Sequence, residues 1–125
     1  MTTLIDSKRL GESRGTGITV RADAFTTTDD GHALIITSPR PILITTPDVE
    51  NGGANTIAYE LYRAQIETTD PDHDAWRLVE EGTVAASGDD TFDYDLNAHA
   101  VMLLIKSDDA GQHSEGVVAR LTGTA

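Results

Sequence analysis

Apolar and polar residues alternate with a period of two through most of this chain, and segments that alternate in this way bury one side and wet the other. In "ITVRADAF" Ile18, Val20, Ala22 and Ala24 fall on one side, with Thr19, Arg21 and Asp23 on the other. "PILITT" predicts another strand, entered at Pro41 where a missing N–H does least harm. "TFDYDL" sets Phe92, Tyr94 and Leu96 against Thr91, Asp93 and Asp95, and "GVVARLTG" sets Val117, Ala119 and Leu121 on one face. "AVMLLIK" is apolar on both sides and reads as a central strand. Asp30 and Gly31 stand between two such runs, where Asp-Gly predicts a hairpin turn. In "TIAYELYRAQIE" Ile57, Leu61 and Ala64 would also line a helix; the tyrosines and the alternation favour a strand, and helix stays open.

Short strands at this spacing, separated by Gly, Asp and Pro, predict an all-β fold: an antiparallel β-sandwich or jelly roll of about eight or nine short strands. A chain of 125 residues is enough for one such core. One domain over residues 18–125 accounts for everything except residues 1–17, read as an extended basic N-terminal arm. That arm holds Lys8, Arg9 and Arg14 and the glycine-rich "GESRGTG", which suits extended chain better than packed structure.

Charge limits the partners. Twenty-one acids face nine bases, a net charge of -12, so phosphate backbones are repelled and nucleic acid is not expected as a partner. No apolar run approaches the roughly 20 residues of a membrane span, and the first residues lack the apolar stretch of a signal peptide, so no membrane is expected and the chain is expected to fold inside a cell. There is no cysteine. Lys8 and Lys106 are the only lysines. At about 1 M salt the Debye length is near 3 Å, which screens such a surface, so the composition reads as salt-adapted.

Between Asp70 and Asp95 nine acids accompany a single base, Arg77. Within "TTDPDHDAW", Asp70, Asp72 and Asp74 occupy alternate positions and Glu81 follows at the twelfth place from Asp70, which matches four ligand positions of a calcium loop. Ala75 stands where that loop needs glycine, and the flanks read as strands rather than helices. The competing reading is a solvated acidic hairpin tip, and no other cofactor is expected. Asp89, Asp90, Asp93 and Asp95 form a second cluster, in which Asp93 and Asp95 share a strand face; a charged solvent face is the simpler account. His32, His73, His99 and His113 show no metal spacing. No nucleophile elbow accompanies any serine, and "GESRGTG" lacks the Lys-Ser/Thr of a phosphate loop, so no enzymatic activity is expected. Tyr59, Tyr62, Tyr94 and Trp76 would suit a sugar-stacking platform, although Trp76 opening a strand also fits a core anchor.

"WRLVEEGTVAASGDDTFDYDLNAHAVMLLIKS" followed by "GVVARLTG", residues 76–123, resembles in strand rhythm and turn placement the small β-sandwich virion structural proteins of tailed viruses, which decorate capsids or sit on tails. With the salt-adapted composition, the resemblance implies a tailed virus infecting halophilic archaea. It implies a protein of the virion, assembled in the host cytoplasm. Its partners would be other virion proteins such as the major capsid protein, and it would form a homo-oligomer, commonly a trimer. Lys8, Arg9 and Arg14 would be the partner-docking residues, lying on an acidic shell. The alternatives are a tail-associated protein and a carbohydrate-binding or calcium-dependent adhesion module.

Overall fold

The computed structural model describes residues 2–11 and 17–125. The fold is all-β, with eight strands: β1 (Thr3–Arg9), β2 (Gly17–Phe25), β3 (His32–Asn51), β4 (Ile57–Ala64), β5 (Arg77–Val84), β6 (Asp89–Thr91), β7 (Tyr94–Ser107) and β8 (Val117–Thr124). The path of hydrogen-bonded neighbours runs β2-β8-β3-β7-β4-β5, with β1 and β6 each added to β3. All pairings are antiparallel except β1 with β3.

Two long strands fold this path into a sandwich. The first half of β3 pairs with β1 and with the second half of β7; its second half pairs with β8, β6 and the start of β7. The β3–β7 register slips between Thr37 and Ile42. Pro39 and Pro41 fall inside that slip, where they withhold no needed donor. "PILITT" is therefore the second half of one bent strand, and "TFDYDL" runs on into "AVMLLIK" through β7. Strands that switch sheets in this way make the corners of a sandwich. Val20, Val49, Ala119 and Leu121 from one layer meet Leu34, Leu61, Val84 and Leu103 from the other in the main core.

Two expectations are corrected. Asp30-Gly31 is not a hairpin turn: Gly31 does take a positive φ of 91°, but β2 pairs with β8, and β3 takes β1 and β7 as neighbours. Ala33 and Ile35 make β3 apolar on its second face as well, so this half of it lies inside the sheet with both faces covered, between β1 and β7. Residues 3–9 are extended as expected but not detached. They form β1, and Leu10 beyond it is buried in the main core, with its N–H donating to the Thr37 carbonyl at 2.8 Å.

A second apolar cluster covers the outer face of the β3–β7–β4 region: Ala33, Ile35, Ala64, Ala100, Met102 and Leu104, under Trp76. The acidic β4–β5 connection lays that indole there. Trp76 Nε1 donates to the Asp70 carbonyl at 2.8 Å, which closes the loop on itself.

Exposed strand edges invite pairing with other chains, and here they are blunted. β1, β2 and β5 each carry a register shift, at Ile5, at Asp23–Ala24 and at Val79. The Ser7 N–H donates to its neighbour Asp6 Oδ1 at 2.9 Å, and the Glu81 N–H to Glu80 Oε1 at 3.2 Å.

Candidate functional site

The loops after β2, β3, β5 and β7 gather at one end of the sandwich around a buried polar network. Asn51 is its centre. Its Nδ2 donates to the carbonyls of Asn55 (2.7 Å), Val84 (3.1 Å) and Ala85 (3.2 Å), and its Oδ1 accepts from Gly53 N (3.1 Å) and Ser114 Oγ (2.7 Å). Thr27 Oγ1 accepts from Ser114 N at 2.9 Å and lies 2.8 Å from Ser107 Oγ. Gly53 is required here, because a Cβ would stand 2.0 Å from Ser114 Oγ and 2.6 Å from Glu115 N. Above the network lies an open groove of about 790 Å³, walled by Gly52, Gly53, Ala54, Ala86 and Gly116, with Ser87, His113 and Glu115 also lining it.

The network brings together one serine, histidine and aspartate. Ser107 Oγ lies 2.9 Å from His113 Nδ1, and Asp29 Oδ1 lies 4.0 Å from the same nitrogen. A nucleophilic relay needs the hydroxyl on one imidazole nitrogen and the carboxylate on the other. Both address Nδ1 here, and the Ser107 hydroxyl is already shared with Thr27 in the interior. The trio therefore ties loops together, and Asn55 Nδ2 adds a 2.7 Å bond to the His113 carbonyl.

Asn51→Ala is expected to cost about 2–3 kcal/mol, since it leaves buried carbonyls and the Ser114 hydroxyl without partners. Chemical denaturation checks this, and a loss under 1 kcal/mol would mean that the loops hold without the amide.

The residues singled out from sequence go to different places. Asp70, Asp72 and Asp74 do not converge; among the described residues no three carboxylate or imidazole side chains come together as a metal site. Asp70 instead builds its own turn: Oδ1 accepts from Asp72 N at 3.0 Å, and its carbonyl accepts from His73 N at 3.2 Å. In the second cluster, Asp90 Oδ2 accepts from the Tyr59 hydroxyl at 2.7 Å and Asp93 Oδ1 from Thr46 at 2.7 Å. Burial, then the Asp90 bond, push the Tyr59 phenol up to about 12. The tyrosines form no common platform: Tyr59 belongs to the main core, Tyr62 packs at the second cluster, and Trp76 is buried. His32 packs at a tilt against Phe25, ring centroids 5.1 Å apart, with its Nδ1 unpartnered among the described residues, and burial holds its pKa below the usual imidazole value.

Among the basic residues of the N-terminal segment, Lys8 Nζ donates to the Thr19 carbonyl at 3.0 Å. Arg9 grips Glu67 through two bonds of 2.8 and 3.2 Å, which lower the Glu67 pKa. Arg14 lies outside the described residues. Sequence reasoning missed the Asn51 network, because its members Thr27, Asn51, Ser107 and Ser114 are far apart along the chain. "NGG" at 51–53 marks a turn there and nothing more.

No family model matches the chain, and no curated protein matches it in sequence. Solved structures do share the fold. One is described as CorA, a surface-associated copper-binding protein important in Methylomicrobium album BG8 copper acquisition, at 6% identity and a TM-score of 0.54, covering 100% of both chains. Another is tripeptidyl peptidase 2, at 10% identity and a TM-score of 0.58; the match covers 95% of this chain but only 11% of that one. At such identities the likeness shows the β-sandwich fold alone.

Proposed function

We propose that this chain is a non-enzymatic structural protein of a virus particle, from a tailed virus of halophilic archaea, placed on the capsid exterior. The observation that carries the reading is the position of the charge. Among the described residues no aspartate or glutamate is buried, so the acids form a hydrated coat around the two apolar clusters and the uncharged polar network of the interior. That division suits a scaffold standing in brine, where salt screens the coat and strengthens burial of the core. The rhythm that resembles virion proteins, residues 76–123, falls on β5 to β8, half of the strands. Lys8 and Arg9 keep exposed side chains at the end of β1 while bonded within the chain, and they offer the cationic element for docking on an acidic shell. The major capsid protein is the partner this reading implies.

Immunogold labelling of intact particles, with antibody to this chain, tests the assignment. Gold on capsid shells is expected. Gold on tails moves the protein to the tail, and particles free of both gold and chain sink the proposal.

A further inference from the structure

We infer that Asn51 and Gly52 form a self-modification site held shut by the loop-end network: the Asn51 amide loses ammonia when the loops part, and the acid left behind keeps them from closing again. The inference starts from a chemical liability. An asparagine side chain is open to attack at Cγ by the main-chain nitrogen of the next residue, and glycine hinders that approach least because it has no Cβ. The chain has three asparagines; Thr56 follows Asn55 and Ala98 follows Asn97, so Asn51 alone precedes a glycine. In the attack the Gly52 nitrogen gives up its proton and bonds to Asn51 Cγ, the Cγ–Nδ2 bond breaks, ammonia leaves and a cyclic imide remains. Water then opens the ring at either carbonyl. One opening leaves an aspartate, and the other an isoaspartate, whose main chain runs through the side chain and is longer by a methylene.

The folded chain opposes each part of this step. Gly52 N donates to the Gly116 carbonyl at 3.2 Å, and Asn51 N to the Gly88 carbonyl at 2.8 Å. Asn51 is the last residue of β3 and pairs with Val117, so its main chain is extended. Its side chain is buried, and turning Cγ onto the Gly52 nitrogen would break the five hydrogen bonds of the amide. Ring closure therefore waits on local opening of the loops.

The fold needs both members of the labile pair. A Cβ on Gly52 would stand 2.6 Å from the Gly116 carbonyl oxygen. At position 51 an amide is required, since one side chain must donate to three carbonyls and accept from Gly53 N and Ser114 Oγ. Once the amide has become an acid, the carbonyls of Asn55, Val84 and Ala85 face an oxygen where N–H donors stood, and a charge is buried among them. Isoaspartate adds a methylene beside Gly52, where there is no space even for a Cβ.

The full chain, incubated in mildly alkaline molar KCl with and without concentrated urea, is followed by peptide mapping that resolves asparagine, aspartate and isoaspartate. Position 51 should convert at least about 30-fold more slowly in the folded chain than in urea. Ser114→Ala takes one partner from Oδ1 and leaves the reacting atoms unchanged; it should speed conversion in the folded chain at least about 5-fold. Asn51→Asp, which is one of the two products, should melt at least about 8 °C below the wild type or fail to fold. Should Ser114→Ala not fold, the ratio of folded to urea rates and the melting of Asn51→Asp decide. Equal rates with and without urea, an Asn51 that does not react in urea, a folded Ser114→Ala no faster than the wild type, or Asn51→Asp melting with the wild type would each overturn the inference. It is independent of the particle reading.

Discussion

Deleting residues 1–11 should leave a chain that melts at least about 15 °C below the full domain, or that does not fold at all. Leu10 is 1% exposed among the largest buried side chains of the main core, and removing a leucine of that kind costs about 2–5 kcal/mol by itself. The deletion also takes Leu4 from the second apolar cluster and uncovers the β3 edge from His32 to Thr37. In a domain of this size each kcal/mol moves the melting temperature by roughly 3–5 °C. Circular dichroism in molar KCl gives the comparison, with Leu10→Ala as the partial version, expected to fall by about 10 °C. A deletion variant melting within a few degrees of the full chain would show that β1 is dispensable, and the detachable arm would then be right after all.

Sequence pointed the other way because the local signals in the first 17 residues are weak ones. Lys8, Arg9 and the glycines dominate the composition, while the two apolar residues that matter, Leu4 and Leu10, keep no single period across the bulge at the exposed Ile5. The partner of β1 is also distant along the chain. Alternation says that a segment is a strand and which side it buries; it does not say beside which strand it lies. The same limit explains Asp30-Gly31, where the glycine's positive φ was legible and the choice of β8 over β3 as partner to β2 was not.

Pattern did better where a segment's needs were two-sided. "AVMLLIK" has no polar face, so it had to lie in the middle of a sheet with both faces covered, and Ala100–Ile105 do so. The continuity of β3 and of β7 was hidden by residues that look like breaks. Pro39 and Pro41 read as a boundary, yet β3 only bends there, because both of its halves find partners in β7. At the loop end of the sandwich almost nothing was readable. A network joining Thr27, Asn51, Ser107 and Ser114 leaves no periodicity, and each member alone is an ordinary turn residue.

Trp76→Ala is the variant that separates the two readings of the acidic loop. If the loop serves to cover the second apolar face, the indole carries the energy and the carboxylates do not. Truncating a buried tryptophan costs about 3–5 kcal/mol, and here it would expose Ile35, Met102 and Leu104 together, so the melting temperature should fall by more than about 10 °C and a dye for apolar surface should bind. The triple variant Asp70→Asn/Asp72→Asn/Asp74→Asn keeps the Oδ1 acceptor that Asp70 offers to Asp72 N, and in dilute solution it should change stability by less than about 0.5 kcal/mol. A calcium loop would reverse that order. The carboxylates would then matter only with calcium present, calcium would raise the wild-type melting temperature, and the triple variant would lose the rise. Since the Asp70 carbonyl already accepts from Trp76 Nε1 and His73 N, the loop's shape comes from its own backbone and the indole, and calcium is expected to leave both curves where they were.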